Sequence, residues 1–274
     1  MKISIVIPTI GNRNLTDTLN SIYQSSLKAE EVILSIPHDT FLDKNKFNHF
    51  KNLKIIKSRV KGQVAQRIEG FKVAKNDIIV QLDDDIIIER ECLKLMLAFI
   101  KKNNNSAVSA HFYDIANRKS IYDKLNTKKY NFLNYIMNGS KVGISGIITR
   151  SGFETYPNFN CDKNVISSEW IPGGCVMHQK KNLVLSNFFP YNGKAYCEDL
   201  FHSIALKNNN IKLYYHKNAK AFLEIENIKS NFKIYIQHLK SDFQIRKKLV
   251  EQNKLSKSRM YLVYIIKTIS YFFR

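Results

Sequence analysis

Residues 78–85, with the sequence Ile-Ile-Val-Gln-Leu-Asp-Asp-Asp, join a short apolar run directly to three consecutive carboxylates. An apolar, β-branched run of this length is typical of a strand buried on both faces of a parallel sheet. Ligands of open α/β sheets bind at the carboxyl ends of such strands, and hard divalent cations prefer carboxylate oxygens. The sequence therefore predicts a cation and diphosphate site here. The alternative is an acidic turn that starts the next helix, where the helix dipole favours negative charge.

Strand and helix patterns alternate around this segment. The predicted strands cover residues 2–8, 31–36, 53–57, 77–82 and 107–112, and the predicted helices cover about 12–26, 62–74 and 89–101. This alternation predicts an α/β fold in which a mostly parallel, Rossmann-like sheet is flanked by helices. Later patterns predict a strand over 169–178 interrupted by two glycines, a helix from 197 to 207, and strands at 211–215 and 219–225.

The charge of the chain is its unusual bulk property. Its 274 residues include 43 Lys or Arg and 23 Asp or Glu, a net charge of +20, with 44% hydrophobic residues. That hydrophobic content excludes a disordered, collagen-like or disulfide-framework chain. The charge indicates an anionic partner, namely nucleic acid, anionic lipid or a phosphorylated substrate. The alternative is compositional drift towards Lys, Asn and Ile.

The ends and the cysteines favour a cytoplasmic protein. The apolar run at the N-terminus stops at Pro8 without the pattern of a signal peptide, and no stretch approaches the roughly 20 apolar residues of a transmembrane helix. The four cysteines are scattered, without zinc-site spacing, which is typical of buried free thiols in a reducing compartment.

Five segments in order resemble family 2 glycosyltransferases of the GT-A fold. They are residues 4–13 (SIVIPTIGNR), 61–67 (KGQVAQR), 81–85 (QLDDD), 170–174 (WIPGG) and 198–199 (ED). The resemblance covers roughly residues 2–226. It implies an inverting, hexosyltransferase-type enzyme that moves a sugar from a nucleotide-diphosphate donor, here expected to be a UDP-sugar, to a saccharide acceptor. It also implies a divalent cation, Mn²⁺ or Mg²⁺.

The resemblance also implies roles for individual residues. Those expected to bind the nucleotide-sugar are Pro8, Thr9, Arg13, Gly62, Arg67, Asp83 and Asp84. Asp85 and Asp83 are the expected metal ligands of this DXD-type motif. Arg13 and Arg67 offer guanidinium groups that suit phosphate, although an exposed arginine on an amphipathic helix is the alternative for Arg67.

The acceptor side is assigned in the same way. Trp170, Gly173 and Gly174 resemble the segment that lines the sugar and acceptor cleft, and Trp170 could equally be a core residue. Asp199 takes the place of the general base, and Glu198 would orient the acceptor or its neighbour. Two acids at a helix start also have a purely structural explanation in the helix dipole.

The sequence departs from the family pattern at two places. Where relatives carry an acidic pair that binds the base and ribose, this chain has Ser35 and Pro37, so backbone groups or Asp39 are expected to serve instead. A late histidine of relatives has no counterpart in residues 221–226, and His216 is interpreted as a surface residue.

The C-terminal segment differs in character from the rest. Residues 227–274 carry 11 Lys or Arg and two Asp or Glu, a net charge of +9, which leaves +11 on residues 1–226. The nearly apolar stretch 260–273 suits a helix lying at a membrane surface, with adjacent basic residues attracted to anionic lipid. The alternative is a helix packed on protein. We therefore expect a catalytic domain over 1–226 and a basic helical extension over 227–274.

This placement of charge favours a peripheral enzyme on the inner face of the cell membrane. Its acceptor is expected to be lipid-linked, in the synthesis of a surface polysaccharide or glycolipid. Two other functions stay open at this point. A sugar-phosphate nucleotidyltransferase would need a Gly-rich basic loop after the first strand, of which residues 9–13 are a poor version. A nucleic-acid-binding protein would explain the charge, but no motif of that class is present.

Overall fold

The computed structural model describes residues 1–13, 15–122, 128–140, 145–189, 191, 195–225 and 231–272. Its strands are β1 (Ile3–Pro8), β2 (Glu31–Pro37), β3 (Leu53–Ser58), β4 (Ile78–Leu82), β5 (Ile87–Ile88), β6 (Ser106–Asp114), β7 (Val165–Ser168), β8 (Cys175–Gln179) and β9 (Lys212–Leu223). Its helices are α1 (Leu15–Gln24), α2 (Gln63–Val73), α3 (Cys92–Lys102), α4 (Lys128–Asn138), α5 (Glu198–Asn208), α6 (Phe232–Gln252) and α7 (Lys257–Ile269).

In this described part of the chain, one nine-stranded sheet has the order β3-β2-β1-β4-β8-β6-β9-β5, and β7 also pairs with β9. The first four strands in this order are parallel to one another. The predicted α/β fold with a large central sheet is therefore confirmed, and so are the strands and helices predicted within residues 2–112. Asn12 and Asn14 are the two residues whose type suits the cap of the helix predicted over about 12–26, and Asn14 lies outside the described residues.

The second half of the sheet is mixed rather than parallel. β8 runs antiparallel to both β4 and β6, whereas β9 is parallel to β6. The strand predicted over 169–178 begins only at Cys175, because the two glycines form a turn before it. The two late strands predicted at 211–215 and 219–225 are one strand, β9, whose register shifts between Ala110 and His111 of β6. His216 therefore lies buried within β9 and not at the surface.

Both faces of the sheet are covered, which explains why the strands are apolar throughout. In β1, the alternate residues Ile3, Ile5 and Ile7 pack in the main core with helices α1 and α3. Val6 points to the opposite face, towards helix α2. There Gly70 lies so close to Val6 that an added Cβ would come within 2.3 Å of Cγ1. The close approach fixes α2, and with it the residues at its amino end, against the sheet.

The C-terminal helices pack on the rest of the protein. Asn231 caps α6 by accepting hydrogen bonds from the amides of Lys233 and Ile234. Leu249 and Ile245 of α6 share a hydrophobic cluster with Leu200 of α5. Helix α7 packs on α6 and on α4 through a cluster that includes Met260, Val263, Tyr264 and Met137. No helix among the described residues is long and apolar enough to span a bilayer.

Candidate active site

A cavity of about 750 Å³ lies at the carboxyl ends of β1 and β4, beside the amino end of α2. Seven of the residues predicted to bind donor or metal line it: Pro8, Thr9, Arg13, Gly62, Asp83, Asp84 and Asp85. Its other lining residues are Ile10, Asn12, Lys61, Gln63, Gln66 and Ala195. The acids lie at the sheet edge where the strand pattern places them.

Thr9 ties the end of β1 to the acidic triplet. Its hydroxyl donates to Asp84 Oδ2 at 2.6 Å and accepts from the Gly11 amide at 3.0 Å. Burial raises the pKa of Asp84, and the hydrogen bond from Thr9 opposes that effect. The backbone carbonyl of Asp84 accepts from Thr18 on α1. The central carboxylate is thus held by protein groups while it also lines the cavity.

Arg13 lies across the outer part of the triplet. Its Nη1 is 3.4 Å from Asp84 Oδ1 and makes a short ion pair with Asp85 Oδ2. Both Arg13 and Asp85 are about two-fifths exposed, so this pair faces the open cavity. An exposed ion pair contributes little to stability, and an incoming phosphate or cation can replace either partner at low cost.

Arg67 occupies a different place from the one the resemblance implies. Its side chain is 2% exposed and lies behind the cavity, not along its lining. Nη1 is 2.5 Å from Glu198 Oε1, and Nη2 is 3.0 Å from Asp83 Oδ1. Burial disfavours the charge of Arg67, but the carboxylates of Glu198 and Asp83 outweigh burial and raise its pKa. Arg67 therefore links the donor cavity to the acidic pair on α5.

Asp83 is the inner acid of the triplet. Its Oδ1 also accepts from Gln63 Nε2 at 3.0 Å, and its amide donates to the Gly174 carbonyl. Burial raises the pKa of Asp83 to about 6, with Arg67 opposing and Glu198 and Asp85 adding to the rise. A carboxylate in this state gains from a nearby cation, because desolvated negative charge is otherwise costly.

Asp199 lies in the first turn of α5, next to Glu198. Its Oδ1 accepts from the Gly173 amide at 2.8 Å. Burial raises the pKa of Asp199 well above its usual value, and the negative charge of Glu198 adds to this. Cys197, which precedes the pair, has a left-handed backbone with φ of 44°. A half-buried acid with a raised pKa suits proton transfer.

The glycine turn before β8 fits tightly between the acids. A Cβ on Gly173 would lie 2.6 Å from Asp199 Oδ1 and 2.8 Å from Gln81 Nε2. The Gln81 side-chain amide donates to the Gly173 carbonyl. Gly174 is less confined, since a Cβ added there would have the Phe112 ring as its nearest neighbour, at 3.3 Å. Both predicted glycines thus lie beside the acidic groups.

Trp170 is a core residue. Its side chain is buried, and its indole N–H donates to the Thr155 carbonyl at 2.8 Å. The ring makes edge contacts with Tyr156 and Tyr215. Of the two alternatives that the sequence left open for Trp170, the structure favours packing beneath the cleft.

Gln66 is a site residue that the motifs did not single out. Its amide donates to the carbonyls of Thr9 and Ser35, and it therefore joins the ends of β1 and β2. The Ser35 hydroxyl is buried without a partner in the described structure. Asp39 is 3.8 Å from Lys61, which lines the cavity. Gln63 and Gln66 lie inside the segment 61–67, so that motif is the sequence signal for them.

The acids can supply part of a metal site. The described residues contain no cluster of three or more His, Cys, Asp or Glu side chains that could hold a metal ion. Magnesium, however, is commonly held by one or two carboxylates together with water and substrate phosphates. Asp83 and Asp85 provide hard oxygen donors beside a phosphate-sized cavity, and this donor set fits Mg²⁺ or Mn²⁺ bound together with a diphosphate.

Known structures share this fold. The chain aligns with GalNAc-T7, crystallised with UDP, GalNAc and Mn²⁺, at a TM-score of 0.60 and 14% identity, over 82% of this chain. It aligns with S. aureus TarS 1–349 at a TM-score of 0.55 and 15% identity, over 96% of this chain and 69% of that one. The same TarS fragment in complex with UDP-GlcNAc gives 0.52 and 16%, over 100% and 73%.

These likenesses show a GT-A type fold and no more, because the identities are low. The chain spans only 43% of the GalNAc-T7 chain. A comparison with curated proteins finds no significant match.

The model of the family described as "Glycosyl transferase family 2" matches residues 4–146, more than half of the chain. The match includes β1, the start of α2 and the acidic triplet, which together form most of the cavity lining. This match favours a glycosyltransferase over the two alternatives, a nucleotidyltransferase and a nucleic-acid-binding protein. The chain belongs to glycosyl transferase family 2.

Proposed function

We propose that this protein is a metal-dependent, inverting glycosyltransferase that uses a nucleotide-diphosphate sugar, most simply a UDP-sugar. One observation carries the proposal. A donor-sized cavity edged by the triplet Asp83–Asp85 is joined, through the buried Arg67, to an acidic pair on α5 that includes a carboxyl group with a raised pKa. Donor site and base are thus parts of one charge network.

The donor is expected to lie along the carboxyl ends of β1 and β4. Arg13, Lys61 and the amino end of α2 supply positive charge for a diphosphate. Gly62 has φ of 139°, a conformation that side-chain-bearing residues rarely adopt, so the backbone can approach a ligand closely there. The ligands of two structures with this fold, UDP in GalNAc-T7 and UDP-GlcNAc in TarS, support a uridine nucleotide.

The proposed metal would be held by Asp85 and Asp83. A divalent cation supplies Lewis-acid stabilisation of the negative charge that develops on a leaving diphosphate. In the chain itself, Arg67 holds Asp83 in place and keeps its second oxygen free of the ion pair. Arg13 is displaced from Asp85 to the phosphate side of the cavity, a short movement for an exposed side chain.

Asp199 is the proposed general base. Its carboxylate takes the proton of the acceptor hydroxyl while that oxygen forms a bond to the anomeric carbon. The bond from the anomeric carbon to the diphosphate oxygen breaks, and its electron pair leaves with the diphosphate. The amide of Gly173 orients Asp199 through Oδ1. A single displacement of this kind inverts the anomeric configuration, and no residue has to form a covalent intermediate.

A donor screen tests the proposal. UDP, GDP, ADP and CDP, each with and without manganese, are added to the full chain in a thermal-shift experiment. UDP with manganese should raise the Tm most, because a ligand that binds only the native state stabilises it. UDP-sugars are then tested for transfer and for slow hydrolysis to free sugar.

Two variants separate donor binding from chemistry. D199N should abolish transfer and keep the shift with UDP and manganese, whereas D85N should weaken that shift. D162N, which changes an exposed aspartate away from the cavity, is the matched control. Retained transfer in both site variants contradicts the proposal.

We also propose that residues 1–226 form the catalytic unit and that 227–274 hold it on the cytoplasmic face of the membrane. One face of α7 packs on α6 and α4, while the other exposes large apolar side chains. On α7 the side chains more than 40% exposed are Tyr261, Leu262, Ile265 and Ile269, followed by Phe272 just after the helix and joined by Phe132 and Tyr135 on the adjacent α4. An apolar helix face beside basic residues suits an anionic lipid surface.

An acceptor carried by lipid follows from this location, in the synthesis of a surface polysaccharide or glycolipid. The membrane test is flotation with phosphatidylcholine vesicles, with and without phosphatidylglycerol. I265Q/I269Q should lose binding to the anionic vesicles. F41Q/V73Q, which changes two exposed apolar residues elsewhere, is the control and should keep it. Equal binding by both double variants contradicts membrane attachment through α7.

A further inference from the structure

A second cavity, of about 440 Å³, lies between α6 and the segment that leads into α5. Its lining residues are Tyr191, Tyr196, Gln237, His238, Ser241, Gln244 and Ile245. No residue of this set lines the donor cavity. The two spaces are nevertheless neighbours, because Ala195 lines the donor cavity and Tyr196 lines the second one. Ala195 and Tyr196, each of which lines one of the two cavities, are followed one residue further on by Glu198 and Asp199.

The wall formed by α6 is polar. Residues 237, 238, 241, 244 and 245 recur at helical spacing and share one face of α6. Of these, only Ile245 is apolar. The side chains of Gln237, Ser241 and Gln244 make no hydrogen bond to the described residues, so their amides and hydroxyl are available to a ligand.

The opposite wall is aromatic. The Tyr191 hydroxyl is buried and has no hydrogen-bond partner within the described part of the chain. The Tyr196 hydroxyl hydrogen-bonds to Nδ1 of His238, which ties this wall to α6. The Lys248 ammonium lies 4.8 Å from the centre of the Tyr191 ring, within the range of a cation–π contact.

We propose that this second cavity binds a sugar ring of the acceptor. The inference rests on the proposed transferase function and adds to it the location and chemistry of the acceptor site. Aromatic faces pack on the C–H face of a pyranose, while amides and hydroxyls suit its hydroxyl groups. The lining residues that the structure describes include no Lys, Arg, Asp or Glu, and this described lining favours a neutral saccharide over a phosphate.

The position agrees with the chemistry. A sugar held here lies against Tyr196, which precedes α5 and its proposed base Asp199 by only a few residues in the chain. The donor sugar would enter from the other side of the same segment. The polar face of α6 thereby selects the acceptor, which gives the segment 227–274 a role in substrate binding in addition to the proposed membrane attachment.

Ligand-observed saturation-transfer NMR on the full chain tests the site without turnover. The probes are the methyl glycosides of glucose, galactose, mannose, rhamnose, N-acetylglucosamine and N-acetylgalactosamine. We expect at least one glycoside to bind the wild-type protein. Its signal should fall at least fivefold in Q237A/Q244A. Q252A, which changes an exposed glutamine of the same helix outside the cavity, should keep the signal.

Three results overturn the inference: no glycoside binds, binding persists in Q237A/Q244A, or UDP with manganese displaces the glycoside. Because both glutamines are exposed, the variants should fold, and circular dichroism melts verify this. The thermal shift with UDP and manganese is measured on the same samples. If the wild-type protein binds a glycoside but shows no thermal shift with UDP and manganese, the donor proposal alone is contradicted. If it shows the thermal shift but binds no glycoside, this acceptor site alone is contradicted.

Discussion

Arg67 determines the charge balance of the site at the scale of single residues. It is almost fully buried, yet it contacts two carboxylates from different elements, Asp83 after β4 and Glu198 on α5. The negative charge of the nearby Asp199 raises the pKa of Arg67 further. Without the guanidinium, three acids would share a desolvated space with no counter-charge. Arg67 is therefore a positioning residue whose effect reaches both the donor side and the base.

Replacing Arg67 with Met should destabilise the protein and stop turnover. Removing one partner of a buried ion pair leaves uncompensated charge and costs about 3 kcal/mol or more in the free energy of unfolding. Urea unfolding at neutral pH measures this cost. R59M, at an exposed arginine, is the matched control and should change the free energy of unfolding by less than about 0.5 kcal/mol.

A double variant distinguishes charge from packing. R67M/E198Q removes one of the stranded carboxylates, so it should recover part of the lost stability without recovering activity. Equal stability of R67M and wild type, or no recovery in the double variant, contradicts the role of Arg67 as the counter-charge.

The sequence predicted the acids of this network but not how they are joined. The partners of Arg67 lie 16 and 131 residues away in the chain. No local pattern connects positions so far apart. Burial of an arginine depends on tertiary structure, and for that reason the motif containing Arg67 favoured a ligand contact. Trp170 illustrates the same limit, because its residue type suits both a cleft and a core.

At the scale of elements, the turn before β8 brings the acids together. Gly173 lies between Asp199 and Gln81, and the Gly174 carbonyl accepts from the amide of Asp83. β8 itself pairs with β4, so the turn is fixed at the end of the strand that carries the acidic triplet. The turn thus sets the distance between donor side and base.

The variant G173A should therefore be folded but nearly inactive. Its new Cβ would lie 2.6 Å from Asp199 Oδ1, and the carboxyl group must move to make room. A displacement of about 1 Å in a catalytic group commonly costs about 100-fold in rate. Transfer rates and UDP binding are measured side by side, with UDP binding expected to stay within a factor of about two to three.

G174A is the matched comparison for this turn. Its Cβ would meet the Phe112 ring at 3.3 Å and stay 3.6 Å from Asp83, so a smaller loss of rate is expected than in G173A. A larger loss in G174A than in G173A contradicts the idea that contact with Asp199 is what matters.

Element prediction succeeded where the pattern is local and failed where pairing is long-range. Strands β1 to β4 alternate with helices, and apolar runs on a doubly covered sheet are recognisable in sequence. The insertion of β8 between β4 and β6, antiparallel to both, depends on partners about 70 to 100 residues away. The register shift in β9, where His216 pairs with Ala110 but Lys220 pairs with His111, coincides with the gap between the two late strands predicted from sequence; the continuous pairing with β6 across that gap was not predicted.

At the scale of the whole molecule, the fold buries two histidines close to Arg67. His178 on β8 and His202 on α5 are buried with ring centres 5.6 Å apart. Burial lowers the pKa of His178 to about 3, and the charge of Arg67 adds to the effect. Burial also lowers the pKa of His202 well below its usual value. Both rings are therefore neutral in the folded protein at any pH near neutrality.

These histidines should make the protein sensitive to acid. A group whose pKa is lower in the folded than in the unfolded state stabilises the fold fully above the unfolded pKa of about 6.5, and this stability is lost as the pH falls towards the folded pKa. For His178 alone, the loss between pH 7.5 and pH 5 amounts to about 2 kcal/mol. Asp83 and Asp199 have raised pKa values and act in the opposite direction, so a comparison of variants is needed to isolate the histidine.

H178L removes the titrating ring and fills a similar volume. Its free energy of unfolding relative to wild type should rise by about 2 kcal/mol when the pH is lowered from 7.5 to 5, as measured by urea unfolding at both values. H38L, which removes an exposed histidine, is the matched control. Since Asp83 and Asp199 are present in all three proteins, their contribution cancels in these differences. A pH-independent difference for H178L would mean that His178 is already charged or solvated in the native state, which its complete burial beside Arg67 argues against.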